Sequence, residues 1–387
     1  MRRVFVLGVG MTPFGKFEER TLEDLGREAV WNAVRDSGLE PRSIRSAYVA
    51  NALHGLISGK AGQIGQQVLA ASAICGITVV NVENACAGGS TAFRGAWLEV
   101  ASGLCDVSLA LGVEKLYHPD RARPVVAMTS NTPYHGTGYQ FTAEYAMFLA
   151  RYMERYGATA LDFAKVVEKN SANGALNPYA QHRRPLSAEE VLASRTVAAP
   201  LTLYMCCSIG DGAAAALLCS EEVARRHAAR PLVEVAACQV CGGRYRRANE
   251  TDPDLPRVAA QAAYESAGLG PDEIDLAEVH DAMAPAELLV MEYLGLCRPG
   301  EAARFLAEGR TKITGDIPVN PSGGLAARGH PVSATGLAQV AEVVWQLRGE
   351  AGRRQVREPR TGLIENAGGL TDFNDNAACA VTILRRA

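Results

Sequence analysis

The local sequence around Cys86 allows few arrangements of the main chain. Residues 84–90 read Asn-Ala-Cys-Ala-Gly-Gly-Ser, after an apolar, β-branched run at 77–82 and before a helical pattern at 91–100. This order predicts a strand-to-helix elbow with Cys86 at or near a helix N-terminus, where free backbone N–H groups and the positive end of the helix dipole meet. Such surroundings are expected to lower the pKa of the thiol and activate it as a nucleophile. A buried core thiol is the alternative interpretation of one free cysteine.

Two segments far downstream each place a histidine at the end of a predicted element. Residues 320–336 read Asn-Pro-Ser-Gly-Gly-Leu-Ala-Ala-Arg-Gly-His-Pro-Val-Ser-Ala-Thr-Gly, a glycine-rich loop that carries His330 and opens a helix. Residues 276–283 contain a short apolar strand, predicted at 276–280, that ends at His280. The chain has only seven histidines. Two of them beside small residues at element ends favour a catalytic role for Cys86 over a buried one.

Strands and helices alternate along the chain, which predicts an α/β architecture with covered sheets. Strands are predicted at 2–9, 46–50, 107–113, 213–219, 232–237, 276–280 and 377–384. Helices are predicted at 22–36, 64–73, 143–156, 160–172, 256–267, 285–294 and 337–347. The alternation of strands and helices becomes irregular between about 115 and 200. A chain of 387 residues exceeds the usual size of a single hydrophobic core, so two domains are expected.

These motifs resemble those of thiolases, specifically the sterol-carrier-protein-type branch and its bacterial and archaeal acetyl-CoA acetyltransferase relatives. The resemblance runs nearly end to end and includes residues 4–15, 169–178 and 210–215. It implies an α/β, duplicated thiolase fold of five layers, αβαβα, with an inserted loop domain. The expected boundaries are an N-terminal half at 1–230, with the insertion at about 115–200, and a C-terminal half at 231–387.

The resemblance also implies a role for each candidate residue. Cys86 would accept the acyl group of a coenzyme A thioester, and His330 would hold or accept the Cys86 proton. His280 would donate a hydrogen bond to the thioester oxygen, and the backbone N–H groups of Cys86 and Gly368 would form a second oxyanion hole. Acyl-CoA is then the substrate, with no permanently bound cofactor. A weaker expectation is coenzyme A contact by Ser322, Gly323 and Gly324.

The chain departs from its relatives at both places where they keep a second catalytic cysteine. Those positions are Ala282 and Asn366, and Asn366 is a possible acid/base replacement. Three interpretations remain open. His280 or a water replaces the cysteine, in a thiolase acting on a β-oxoacyl-CoA bulkier than acetoacetyl-CoA. Alternatively, the acceptor is already nucleophilic, such as a polyphenol, or a zinc-ribbon/OB-fold partner completes the site. A non-catalytic thiolase-like subunit of a complex is the rival hypothesis.

Composition excludes several other classes of protein. A net charge of −3 with 21% charged residues gives no basic excess for nucleic acid, and no apolar run is long enough to cross a membrane. Ten cysteines without an export signal predict reduced thiols and a cytoplasmic protein. The single Cys238-x-x-Cys241 pair predicts strand packing rather than a metal site. A homodimer is expected, formed through the edge strand near 74–82. Three arginine clusters, at 225–226, 244–247 and 353–354, are candidates for contact with the phosphates of coenzyme A.

Overall fold

The computed structural model describes residues 1–120, 122–130, 136–227, 229–244, 255–371 and 375–387. Strands within these ranges are β1 (Val4–Met11), β2 (Ser46–Ala50), β3 (Thr78–Val82), β4 (Val107–Glu114), β5 (Thr196–Ala198), β6 (Leu201–Thr202), β7 (Gly212–Ser220), β8 (Val233–Gly242), β9 (Leu276–Glu278), β10 (Thr361–Leu370) and β11 (Asn376–Arg386). All the predicted strands are present, with ends shifted by a few residues. The predicted strand at 232–237 extends to Gly242.

Helices in the described ranges include all those predicted. They are α1 (Leu22–Ser37), α2 (His54–Ser58), α3 (Ile64–Ala71), α4 (Gly88–Ala101), α5 (Ala122–Ser130), α6 (Phe141–Tyr156), α7 (Ala160–Ala175), α8 (Ala188–Ala193), α9 (Glu221–His227), α10 (Leu255–Ala267), α11 (Ala286–Tyr293), α12 (Ala302–Ala307), α13 (Gly324–Arg328) and α14 (Thr335–Arg348). Capping boxes begin α1, α7 and α8, with Thr21, Thr159 and Ser187 as the caps. Each cap satisfies backbone donors that the first helical turn leaves free.

The strand order repeats in the two halves of the chain. One half runs β1-β7-β4-β2-β3 from the centre outwards, and the other runs β8-β11-β10-β9. The strands of the large sheet follow the same order in each half. The first strand of the half lies next to the last, the last lies next to the penultimate, and the penultimate lies next to the second. The pairs Phe5↔Glu234 and Val6↔Val233 hold β1 against β8 and join the two half-sheets. The sheet topology therefore shows the duplication that was not visible as sequence identity.

Three apolar clusters divide the core into layers. One packs α1 and α3 on the outer face of the first half-sheet, through residues such as Leu25 and Val68. A second places α4 and α14 between the half-sheets, with Phe93 and Leu337 in contact with strands of both. The third packs α6, α7, α10 and α11 on the outer face of the second half-sheet, around Phe163 and Leu288. This is the expected α/β fold with helix, sheet, helix, sheet and helix layers.

Within the described residues, β10 is the only strand of the nine-stranded sheet that the sequence did not predict. Strand β10 reads Thr-Gly-Leu-Ile-Glu-Asn-Ala-Gly-Gly-Leu, and its polar and glycine residues hide the pattern of a strand. It lies between β9 and β11, and its first eight residues are buried. Cys238 and Cys241 both lie in β8, where Cys238 accepts a hydrogen bond from Thr382 Oγ1, as the packing interpretation expects. No helix in the described part of the chain is long and apolar enough to span a bilayer.

Candidate active site

Cys86 occupies a short turn between the edge strand β3 and helix α4. A 3₁₀ turn at Ala85–Ala87 carries it, and α4 begins at the next residue. Ala85 has a φ of 45°, in the left-handed region that residues with a Cβ rarely adopt. Asn84 Nδ2 donates to Thr91 Oγ1 at 3.0 Å, which ties the turn to the first helical turn. The elbow expected from the sequence is present, with Cys86 just before the helix N-terminus.

The small residues of the elbow allow it to pack closely on the segment that carries His330. A Cβ built on Gly89 would lie 2.5 Å from Ser333 O, closer than any real contact. A Cβ on Gly88 would lie 3.5 Å from Ser333 Oγ. Ser333 begins the approach to α14, so the N-terminal ends of α4 and α14 meet at the centre of the molecule. This contact brings together two segments separated by 244 residues.

His330 contacts Cys86 directly, and a hydroxyl group orients its ring. His330 Nε2 lies 3.3 Å from Cys86 Sγ, and His330 Nδ1 lies 2.7 Å from Thr335 Oγ1. Thr335 Oγ1 in turn donates to Pro331 O at 3.2 Å, which leaves its lone pairs for a proton on Nδ1. Nε2 is then the unprotonated nitrogen that faces the thiol. Sequence reasoning missed Thr335, although a hydroxyl five residues after the histidine, at a helix start, was the available signal.

His280 completes the group around the sulfur. One ring nitrogen each of His280 and His330 and Cys86 Sγ all lie within 4.8 Å of one another, and the imidazole centroids are 5.1 Å apart. His280 Nε2 is buried and has no hydrogen-bond partner among the residues that the structure describes. A buried nitrogen without a partner is costly, and a substrate oxygen would satisfy it. The geometry suits the oxyanion role expected for His280.

The pKa shifts of this group correct one expectation. Burial raises the pKa of Cys86 to about 12, the charge of Glu114 adds to this, and a hydrogen bond with the backbone of Cys86 opposes it. The elbow therefore does not lower the thiol pKa, because the loss of solvation outweighs the helix end. Burial and the positive charge of Arg328 lower the pKa of His280 to about 3. Burial, His280 and Arg328 hold the pKa of His330 well below its usual value. At rest, a neutral thiol faces two neutral imidazoles.

Strand β10 contributes the main chain beside Cys86. A Cβ built on Gly368 would lie 2.6 Å from Cys86 N and 2.5 Å from Ala87 N, so only glycine fits there. Asn366, two residues before Gly368, lies on the same face of the strand, towards the start of α4. Its Oδ1 accepts a hydrogen bond from Ser90 Oγ at 2.9 Å within the layer of central helices. The main chain of Gly368 therefore lies against that of Cys86, whereas the side chain of Asn366 lies outside the cavity that contains Cys86.

The turn at Ser322, Gly323 and Gly324 organises the interior and lines neither of the two cavities described below. Ser322 is fully buried, and its N and Oγ donate to Glu278 at 2.9 and 2.7 Å. Glu278 also forms a buried ion pair with Arg328 at 3.1 Å. Because these groups are saturated by protein partners, they support the segment before His280. The expected coenzyme A contact by this turn has no geometric support.

Two cavities share Cys207 in their walls. The cysteine cavity has a volume of about 920 Å³ and contains Cys86, His280 and His330, together with Ala282 and Met283. Much of its wall is aromatic and comes from α6, with Phe141, Tyr145, Phe148, Tyr152 and Tyr156. Helix α6 thus covers the site with a wall that is largely apolar but carries phenol groups.

The basic cavity is smaller, about 550 Å³, and lies on the other side of Cys207, which lines both cavities. Its wall includes the cationic or titratable side chains of Lys16, His118, His182 and Arg184. His182 Nε2 is 2.7 Å from Ser208 Oγ. The arginine clusters noted in the sequence lie elsewhere or outside the described residues. Arg225 and Arg226 pair with glutamates on α9, Arg354 is buried against Glu342, and residues 245–247 are not described.

Comparisons with known proteins agree with this arrangement. The family model "Thiolase, N-terminal domain" matches residues 4–222, and "Thiolase C-terminal domain-like" matches residues 246–383. Acetyl-CoA acetyltransferase of Methanothermobacter thermautotrophicus is 41% identical over 372 residues, covering 95% of this chain and 97% of the relative. Benzoylsuccinyl-CoA thiolase subunit BbsB of Thauera aromatica is 39% identical over 375 residues, covering 95% of each.

A more distant relative and a solved structure extend the comparison. Sterol carrier protein 2 of Homo sapiens is 37% identical over 390 residues, covering 95% of this chain and 70% of the relative. The solved structure "Ltp2-ChsH2(DUF35) aldolase" superposes with a TM-score of 0.82 and 25% identity, covering 98% of this chain and 97% of the other. Matching models over both halves, relatives well above 30% identity and the duplicated fold lead to one conclusion: the chain belongs to the thiolase family and is an acyltransferase of the thiolase type.

Proposed function

We propose that this protein forms an acyl-cysteine intermediate at Cys86 and cleaves or forms a β-oxoacyl-CoA bulkier than acetoacetyl-CoA. The observation that carries the proposal is the 3.3 Å contact between Cys86 Sγ and His330 Nε2. Beside this contact are a buried nitrogen of His280, which has no hydrogen-bond partner among the described residues, and the main chain of Gly368. Nucleophile, base and candidate oxyanion donors converge on one point, which is the arrangement that acyl transfer requires.

The proton path follows from the hydrogen bonds. Cys86 carries its proton at rest, because burial raises its pKa to about 12. His330 is neutral with Nε2 free, so it takes the thiol proton as the sulfur attacks the carbonyl carbon. The developing oxyanion accepts a hydrogen bond from His280, and the backbone N–H groups of Cys86 and Gly368 stabilise the oxyanion of the acyl-cysteine. His330 returns the proton to sulfur when the acyl group leaves.

The two cavities support a division of the substrate. The basic cavity suits the coenzyme A moiety, because Lys16, His182 and Arg184 provide positive charge or hydrogen-bond donors for phosphates. The cysteine cavity suits the acyl group, because its volume of about 920 Å³ and aromatic wall exceed what an acetoacetyl group fills. A relative named as a benzoylsuccinyl-CoA thiolase subunit is in keeping with an aromatic acyl group.

The assembly is proposed to have two components. One relative is named as a subunit, and the solved neighbour is titled as a complex with a DUF35 protein, so a small zinc-ribbon/OB-fold partner is a reasonable companion for this chain. The chain itself is proposed to form a homodimer through β3. This strand is an edge of the sheet, and Val80 is 37% exposed there. Exposed edge strands invite pairing with a second chain.

Acylation of Cys86 is the direct test. Purified protein is mixed with benzoyl-CoA, and intact-mass and peptide mass spectrometry measure the benzoyl adduct and the residue that carries it. The expected result is one adduct per chain on Cys86, absent in Cys86→Ala and at least tenfold slower in His330→Ala. Absence of any adduct, with acetyl-CoA and longer acyl-CoA substrates also tested and with a co-purified partner present, would favour a non-catalytic subunit and overturn the proposal.

A further inference from the structure

Thiolase chemistry needs a second proton-transfer group, and neither position suggested by the sequence supplies it. Breaking the bond between C2 and C3 of a β-oxoacyl-CoA leaves a carbanion at C2 that must gain a proton. Ala282 has no titratable group, and Asn366 is bonded to Ser90 and does not line the cysteine cavity. An amide also cannot cycle a proton near neutral pH.

Glu365, next to Asn366, faces the cysteine cavity instead. Successive side chains of a strand point to opposite faces, so Glu365 and Ala367 line the cavity while Asn366 does not. Glu365 Oε2 accepts a hydrogen bond from the backbone N of His280 at 2.9 Å, and Oε1 lies 3.5 Å from Cys379 Sγ. His280 therefore contacts both groups, because its backbone N–H donates to Glu365 and one of its ring nitrogens lies within 4.8 Å of Cys86 Sγ.

Tyr145 of α6 lines the same cavity as Cys86 and Glu365, so the thiol and the carboxyl group face one common space. Two other carboxylates of the cavity wall have partners away from the reacting group. Glu144 accepts from Tyr139, and Glu292 accepts from Tyr152 Oη at 2.6 Å. Glu365 is the carboxylate whose hydrogen bond is to a residue of the catalytic group itself.

The protonation of Glu365 suits a group that both gives and takes a proton. Burial raises the pKa of Glu365 to about 7, while the hydrogen bonds from His280 N and Cys379 oppose this rise. A general acid or base is most effective when its pKa is close to the working pH. No positively charged group lies within hydrogen-bond distance of this carboxyl in the described residues, so its proton is not displaced by an ion pair.

We propose that Glu365 is the general acid/base at C2 of the substrate and replaces the second cysteine of the relatives, directly or through one water. This inference rests on the acyl-cysteine chemistry proposed above. In cleavage, the Cys86 proton moves to His330, the S–C3 bond forms and the C2–C3 bond breaks. Glu365 then gives its proton to C2, which releases the shorter acyl-CoA.

The second half-reaction restores both groups. Glu365, now a carboxylate, takes the proton of the incoming coenzyme A thiol as its sulfur attacks the acyl-cysteine carbonyl. The bond from Cys86 Sγ to the acyl carbon breaks, and the sulfur regains its proton from His330. Condensation is the same sequence in reverse, with Glu365 removing a proton from C2 of the acceptor acyl-CoA.

The test compares two routes to the same adduct. Benzoyl-CoA acylates Cys86 with a thiolate leaving group, which needs no proton at carbon. 3-Oxo-3-phenylpropanoyl-CoA gives the same benzoyl-Cys86 with acetyl-CoA as the product, which requires a proton at C2. Single-turnover mass spectrometry measures both rates in the wild type, in Glu365→Gln and in Glu342→Gln. Glutamine keeps an oxygen that can accept from His280 N but cannot cycle a proton. Glu342 is a matched buried carboxylate, which pairs with Arg354 at 2.9 Å and lines neither cavity.

The expected result is a change in the ratio of the two rates. Glu365→Gln should slow carbon–carbon cleavage far more than acylation from benzoyl-CoA, because a coenzyme A thiolate can leave without the proton of Glu365 whereas the C2 carbanion cannot. The ratio of the two rates should change by at least about 100-fold, the usual size of a general acid/base contribution. Glu342→Gln should keep the wild-type ratio. Equal losses on both routes, or normal cleavage by Glu365→Gln, would overturn the role of Glu365. Failure of the wild type to form any adduct would instead overturn the proposed function.

Discussion

Replacement of Gly368 by alanine tests the second oxyanion hole. The new Cβ would lie 2.6 Å from Cys86 N, whereas non-bonded heavy atoms settle at about 3.5 Å. The main chains of β10 and the elbow must therefore separate by about 0.9 Å, the difference between those two distances. Oxyanion donors act at about 2.7–3.1 Å, so a shift of this size removes one donor. The expected loss in acylation rate is about 10²–10³-fold, or about 3–4 kcal/mol.

The assay is the single-turnover formation of benzoyl-Cys86 from benzoyl-CoA, followed by mass spectrometry. Thermal unfolding, recorded in parallel, shows whether the variant is folded at the assay temperature. Gly62→Ala is the matched control, because a Cβ at Gly62 meets nothing within 4 Å and its backbone has an ordinary φ. It should acylate at the wild-type rate. Acylation by Gly368→Ala within threefold of the wild type, in a folded protein, would refute the assignment of Gly368 to the oxyanion hole.

Three further outcomes are expected. Thr335→Val should slow acylation about 10- to 100-fold, because a buried Nδ1–H of His330 without its acceptor costs about 1–3 kcal/mol. Thr335→Ser keeps the hydroxyl and should acylate at the wild-type rate. Equal rates for the two variants would contradict the orienting role of Thr335. The rate of acylation from benzoyl-CoA should not fall as the pH is lowered from 8 to 6, because the pKa values of His330 and His280 are lowered and both rings stay neutral. A loss of rate with its midpoint near pH 6.5 would indicate a histidine with an ordinary pKa instead. Val80→Lys on the edge strand β3 should convert a dimer into a species of the 41.1 kDa chain mass, measured by light scattering, and a wild-type protein that is already monomeric would reject the dimer.

The local patterns of this chain were sufficient for most of its elements and for its reactive residues. The elbow at Cys86 depends on neighbours in sequence: a β-branched strand, glycines and then helix formers, each acting within a few residues. His280 and His330 were identified as element-end histidines for the same reason. The contact between His330 and Cys86 was expected from the resemblance to thiolases, because no local rule brings together residues 244 positions apart.

Tertiary structure decided what the residues of β10 do. Glycine and polar side chains concealed this strand, since local propensity does not record burial between helix layers on both faces. Once the strand is formed, its two-residue period turns Asn366 towards Ser90 and Glu365 towards the cysteine cavity, one residue away from the position that the motif suggested. The pKa of Cys86 was likewise misjudged from the helix end alone. The amount of protein that surrounds a thiol depends on segments remote in sequence, and only the folded chain reveals that its desolvation outweighs the nearby helix end.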